Sequence, residues 1–272
     1  MRRPIGNKMV LTTAELTGFV GTLMWPLMRI GAMMGVAPVL GSGMLPVRIR
    51  IALTLAITLL LIPVLPAMPQ VEPLSAQGLL VSVQQVVIGL AMGFSLRLVF
   101  SAMVMAGQTI ATSMGLGFAA TIDPQNGVRV PMVSQLYVIL ATLLFLVLNG
   151  HLVLIEVIAK SFTTLPVAVD GLTRQGLWHL MSWGSEIFGG AILVAMPVVA
   201  SILLLNILFG VITRSALQLN IFAVGFPLTI MMGFIIIWPT LPGVAAQFER
   251  LLDAGLSLVQ QMASFDTAAT GE

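Results

Sequence analysis

Six stretches of this chain are apolar for about the length that a hydrocarbon core demands, and no other feature narrows its possible folds as far. They run over roughly 14–36, 46–66, 78–106, 132–158, 184–213 and 219–241, against a need of about 20 apolar residues per crossing helix. Inside lipid every backbone N–H and C=O must be paired within the protein, which leaves helices for segments of this length. Composition agrees: 58% of the 272 residues are hydrophobic and 8% are charged, where soluble domains carry roughly 25% charge. The expected fold class is therefore all-α, an integral membrane-type protein of kinked helical hairpins. A formal net charge of +2 gives nucleic-acid binding no electrostatic support. With no cysteine there is no disulfide framework and no thiolate chemistry. Arg2, Arg3 and Lys8 precede the first segment, but that segment is long, contains Arg29 and lacks a small-residue cleavage site. It reads as a retained helix and not a signal peptide.

The connections carry the expected punctuation, with Pro38, Gly41, Gly43 and Pro46 after the first segment and Pro66, Pro69 and Pro73 after the second. Trp178 and Trp183, in the connection 160–183, have the amphipathic character of interfacial anchors. Pro26, Pro63, Pro197 and Pro227 fall inside the spans, and each is expected to remove a ladder hydrogen bond and bend its helix. From Gly243 onward the tail is mildly amphipathic and reads as a surface-lying or partner-binding helix, ending in a disordered terminus at 265–272. An inward N-terminus would place Arg2, Arg3, Lys8, Lys160, Arg174 and Arg250 on one side and Arg48, Arg50, Arg129 and Arg214 on the other. That bias is too small to fix an orientation.

One stretch breaks the pattern. Gly107 to Pro131 reads GQTIATSMGLGFAATIDPQNGVRVP. Gly115 and Gly117 each cost a helix interior roughly 1 kcal/mol relative to alanine. Pro124 biases Asp123 away from helical backbone, and Asn126-Gly127 is a strong turn signal. Yet Met114, Leu116, Phe118 and Ile122 are apolar, which a solvated loop does not need. Apolar, non-helical backbone in a membrane protein is tolerated where protein buries it or where it lines a cavity.

Charges inside the apolar runs are the other expensive feature. At roughly 2.5–3.5 kcal/mol each in mid-membrane, such residues face protein or water. Glu156, Glu186 and Arg214 lie near segment ends, within snorkelling reach of an interface. Arg29 and Arg97 lie deeper and are expected in a buried polar pairing or on a water-filled face. His151, directly after Asn149-Gly150, reads as the start of a new helical turn. Gly31-x-x-x-Gly35 and Gly89-x-x-x-Gly93 permit close helix contact, although this spacing arises often by chance in glycine-rich chains. Most of the eighteen methionines read as packing. Met103, Met105, Met114 and Met132 bracket the anomalous loop, and the sharper reading makes them a soft apolar constriction.

No catalytic constellation is present: there is no HExxH, no GxSxG and no phosphate loop, and metal ligands lack useful spacing. No cofactor or metal is expected.

Three motif blocks then match one pattern. The first is Arg29-x8-Pro38 with Gly41, Pro46 and a basic entry to the second segment. The second is Gly107-Gln108, Met114-Gly-Leu-Gly and Asp123-Pro124, followed by Phe145-x3-Asn149-Gly150-His151 and Ser161-Phe162-x2-Leu165-Pro166. The third is Pro197, Asn206, Gly210, Arg214, Gln218-Leu219-Asn220-Ile221-Phe222 and Gly225-Phe226-Pro227. Together, over about residues 14–260, they resemble the R/T-type export-gate subunits of type III secretion systems in their flagellar form. Leu217 departs from the family, which usually has proline there.

The resemblance implies a non-enzymatic structural subunit in the bacterial inner membrane, at the flagellar basal body. One such subunit joins several P-type and Q-type subunits in a helical, hetero-oligomeric gate standing largely above the bilayer plane. Residues 1–165 would be P-like hairpins and 166–264 a Q-like hairpin with its tail. B-type and A-type export proteins, unfolded flagellar export substrates and membrane lipid are the other implied partners. The family's plug, a loop occluding the closed pore, maps onto Gly115, Leu116, Gly117, Phe118, Ala119, Ala120, Thr121, Ile122, Asp123 and Pro124. Buried polar or assembly roles would fall to Arg29, Arg97, Arg214, Gln218 and Asn220. From the residues alone a secondary transporter with broken helices is the alternative, although no inverted repeat gives the 107–131 loop a counterpart.

Overall fold

The segments predicted from apolar runs are helices, but their number and ends differ from the expectation. A computed structural model describes residues 13–41, 45–69, 71–116, 132–169, 171, 174–215 and 221–269. Among them every regular element is helical: α1 (Thr13–Val36), α2 (Val47–Leu61) with a 3-10 turn at Ile62–Val64, α3 (Ala76–Ser113), α4 (Met132–Val147), α5 (Gly150–Thr164), α6 (Arg174–Ser215) and α7 (Ile221–Ala269). Four of these are long and apolar enough to cross a membrane, or five if the bent pair α4 and α5 forms one span, and Val20–Val36 is a shorter apolar helix.

Helix α3 runs on to Ser113 and α6 begins at Arg174, inside the expected 160–183 connection, and two further segments changed shape. The fourth, 132–158, is broken, and its two helices diverge by 66°. Asn149 takes a left-handed φ of 55°, which asparagine tolerates at a helix end. A Cβ on Gly150 would run into the Phe145 ring, so the Phe145-x3-Asn149-Gly150 motif encodes the bend. His151 does start the new helix. The sixth segment is instead longer than expected: α7 runs unbroken past Pro239, Pro242 and Gly243 to Ala269. The tail is thus no separate surface helix, because Val244, Phe248, Leu251, Leu252 and Leu256 are buried in the core. Helix persists beyond Ser264, where order was expected to end. Pro26, Pro197 and Pro227 lie inside helices as expected. Pro63 is the exception. It stands in the 3-10 turn and ends α2 instead of bending a span.

The chain divides into two compact units, one from Met1–Phe94, Glu156–Leu177 and Gln260–Glu272, the other from Ser95–Ile155 and Trp178–Val259. In the first unit α1 and α3 meet backbone to backbone. A Cβ on Gly89 would collide with the Arg29 carbonyl, and one on Gly93 would stand 2.7 Å from the Met33 carbonyl. Close approach of this kind requires glycine. The similar-looking Gly31-x-x-x-Gly35 does not do this, since Gly35 faces open space. Trp25, Ile30, Met33, Met34 and Ile88 fill the core. Helix α2 buries only Thr54, Ile57, Thr58 and Leu61. In the second unit, Phe100 of α3 meets Phe145 of α4 and Phe248 of α7 edge-on, with centroids 5.9 and 5.6 Å away, the favoured aromatic geometry. Gly190 of α6 makes room for Leu251 and Gly255 of α7 for Val99.

Candidate functional site

The anomalous loop leaves α3 by a defined cap. Gly115 has φ 82°, its N–H bonds the Thr112 carbonyl at 3.0 Å, and the Leu116 N–H reaches back to Ala111 at 2.9 Å. Those two bonds around a left-handed glycine form a Schellman C-cap. Glycine suits that φ because it lacks the Cβ that penalises left-handed backbone. The residue before it, Met114, is fully buried. Its side chain occupies a notch made by Gly233 of α7, where a Cβ would stand 2.5 Å from the Met114 Cε. The returning helix α4 is fixed as tightly. A Cβ on Gly107 would stand 2.5 Å from the Ser134 Cα, and the Ser134 hydroxyl donates to the Val104 carbonyl at 3.2 Å. Both roots of the loop are therefore anchored in packed helices of the second unit, while Gly117 to Pro124, most of the expected plug, lie outside the described residues.

The four bracketing methionines do not share one environment. Met103 and Met114 are buried to within 1% exposure, Met105 is half-buried, and Met132 is 85% exposed. A constriction made of all four is corrected by this burial: Met103 and Met114 fill the core, which is the usual use of methionine.

The polar residues separate as sharply. Arg29 is fully buried in the first unit. Its Nε donates to Gln85 Oε1 at 2.8 Å, Nη1 to the Ser161 carbonyl at 2.9 Å and hydroxyl at 3.1 Å, and Nη2 to the Leu165 carbonyl at 2.9 Å. The guanidinium also lies 4.2 Å from the Phe162 ring centroid. Among the described residues no carboxylate takes part. Counter-charge comes from the C-terminal end of α5, which carries the negative pole of the helix dipole and whose Ser161 carbonyl accepts Arg29 alongside the Leu165 N–H, and from the ring face. The Ser161-Phe162-x2-Leu165 motif is thus the receptor for Arg29. In sequence the two motifs stand far apart and nothing local joins them. A basic residue deep in one apolar helix and a Ser-Phe pair ending another is the signal that could have done so.

Arg97 is exposed on α3, away from a buried pairing within the chain, and Arg214 is exposed in the last turn of α6. Gln218 and Asn220 lie outside the described residues. Glu156 and Lys160 form an exposed pair at 2.6 Å, one turn apart. Among the described residues no group of three His, Asp or Glu side chains is placed to hold a metal ion.

Residues 20–255 match the family model for bacterial export proteins, family 1. The chain is 35% identical over 254 residues to the flagellar biosynthetic protein FliR of Escherichia coli (strain K12), covering 93% of this chain and 97% of that protein. It is 34% identical over 255 residues to FliR of Pectobacterium carotovorum subsp. carotovorum, covering 92% and 97%. With FliR of Aquifex aeolicus (strain VF5) it shares 30% over 224 residues, 82% of this chain and 86% of that one.

Proposed function

The chain belongs to family 1 of the bacterial export proteins, and we propose that it is a structural, non-enzymatic subunit of the flagellar protein export gate in the bacterial inner membrane. Membership and the apolar helices support a membrane subunit of the flagellar export apparatus. In this reading it assembles with P-type and Q-type subunits, residues 1–165 serving as the P-like part and 166–264 as the Q-like part. Unfolded flagellar proteins pass through the assembled pore, driven by other components of the apparatus. The exposed Arg214 contributes to subunit contacts, whereas Arg29 is consumed inside the chain and serves its fold.

The loop that follows Gly115 acts as the plug. The observation that carries this role is the anchoring of its roots: a left-handed glycine cap beside a fully buried Met114 on one side, and the Gly107–Ser134 contact on the other. A loop held this firmly at its ends can block a passage without being swept into it. Deletion of Gly115–Ile122 is expected to make cells leak ions and small molecules while the complex still assembles. Intact permeability in a deletion strain with assembled gates would overturn the plug role.

A further inference from the structure

Val39, just past the end of α1, holds a backbone shape that a β-branched residue rarely adopts. Its φ is 69°, in the left-handed region that penalises a Cβ. The Leu40 N–H donates to the Pro38 carbonyl at 2.8 Å, so Val39 is the middle residue of a γ-turn of the rare, strained hand. Such backbone persists only where its surroundings impose it. On the α1 side the hold is firm. Ala37 is fully buried, and a Cβ on Gly93 of α3 would stand 3.2 Å from the Ala37 nitrogen. The Gly41 N–H returns to the Ala37 carbonyl at 2.7 Å. A Cβ on Gly41 would stand 2.6 Å from that carbonyl oxygen, so the chain doubles back tightly across the end of α1.

The α2 side is held far less. Helix α2 buries two large apolar side chains, Ile57 and Leu61, and exposes six: Val47, Ile49, Ile51, Leu55, Leu59 and Leu60. Two threonines complete its inner face. The Thr54 hydroxyl donates to the Arg50 carbonyl at 2.8 Å and the Thr58 hydroxyl to the Thr54 carbonyl at 2.7 Å. Both bonds stay within α2, so neither hydroxyl ties it to α1. Pro46 starts the helix without a side-chain cap bond, and Pro63 ends it in a 3-10 turn. Helices α1 and α3, by contrast, meet backbone to backbone at Gly89 and share the Arg29–Gln85 bond. Segments with few buried apolar contacts open locally, well below the free energy of global unfolding. Strain at the hinge favours that opening, because the turn relaxes once its arm is released.

We propose that α2 is a sprung arm, which leaves α1 as one unit about the strained Val39 turn while α1 and α3 stay packed. This goes beyond the export-gate reading and does not rest on it. The chain contains no cysteine, so single replacements in the purified full chain can report the release. Thr54→Cys and Thr58→Cys probe the inner face of α2. Ala56→Cys, exposed on the same helix, sets the rate of an open site, and Val81→Cys, fully buried in α3, that of a closed one. With N-ethylmaleimide under native conditions, the two threonine positions are expected to label at equal rates, on the order of 100-fold faster than Val81→Cys. Val39→Gly accepts the turn without a Cβ, and is expected to slow both about tenfold while leaving Ala56→Cys and Val81→Cys unchanged. Labelling of both threonine positions as slowly as Val81→Cys would overturn the arm. Fast labelling at Thr58→Cys alone would show fraying from the Pro63 end, and an unchanged or faster rate in Val39→Gly would show a turn without strain; either result also overturns it. Hydrogen exchange on the wild-type chain gives a second reading that needs no replacement. A 15-residue helix freed from its packing is marginal, so amides of 47–61 are expected to exchange as a block ahead of those of 76–98. Equal protection of the two stretches would overturn the proposal.

Discussion

Arg29 and Arg97 are both arginines deep in apolar helices, and the protein treats them in opposite ways. Arg29 is withdrawn entirely from solvent and spends its donors on four acceptors in α3 and at the end of α5. Arg97 points away from the core of its own unit and pairs with no carboxylate among the described residues. A membrane chain can carry a charge at depth by supplying neutral carbonyls, a helix dipole and a ring face, or by leaving that charge to an aqueous or polar surface beyond the chain. The first solution belongs to the fold and the second to the assembly. Removing each arginine should therefore produce different failures.

The largest effect is expected at Arg29. Arg29→Met keeps the apolar stem and removes every donor. The Ser161 carbonyl retains the Leu165 N–H, but the Leu165 carbonyl and Gln85 Oε1 lose the donors shown for them in a dry site. Leaving a buried acceptor without its donor typically costs about 1–3 kcal/mol per group. The expected outcome is loss of most of the subunit from the assembled complex, together with a lower thermal-aggregation midpoint for what remains. Wild-type recovery and midpoint would show that the network adds little to the fold.

How much of this was legible beforehand depends on whether the signal was local. Apolar runs are written in neighbouring residues and could be read from them, and so are the turn residues Gly115 and Asn149-Gly150, but α3 runs on through Gly107 to Ser113 where a break was expected, and the 132–158 segment expected to be continuous is split. The pairing of Arg29 with Gln85, Ser161 and Leu165 spans long sequence separations, and composition says only that some partner must exist. Burial was least legible. Met103, Met114 and Met132 look alike in sequence, yet core packing takes the first two and leaves the third outside. The apolar stripe of the tail was visible, but its target was not, because Phe248 finds Phe100 only once α3 and α7 are packed.

An intermediate effect should come from the helix contact beside Arg29. Gly89 lies against the Arg29 carbonyl and Ala32, so Gly89→Leu must push α1 and α3 apart and disturb the geometry that holds the guanidinium. Overpacking of this kind costs about 1–3 kcal/mol. Gly35→Leu is the matched control, since a β-carbon there would have open space for 4 Å around it. The expected result is a reduced aggregation midpoint for Gly89→Leu and little change for Gly35→Leu. Equal effects from both would mean that helix propensity, and not the α1–α3 contact, sets the outcome.

The smallest effect on stability is expected at Arg97. It buries nothing in its own unit, and surface substitutions of that kind usually fall within about 0.5 kcal/mol. Arg97→Leu should assemble as wild type and retain its aggregation midpoint. Arg214→Leu, at the end of α6, is the informative partner. If Arg214 contacts another subunit, its replacement lowers recovery of the native complex without affecting membrane insertion. Native mass measurement of both variants separates these roles. Loss of assembly in Arg97→Leu would make Arg97 a subunit contact, and unchanged assembly in Arg214→Leu would remove Arg214 from one.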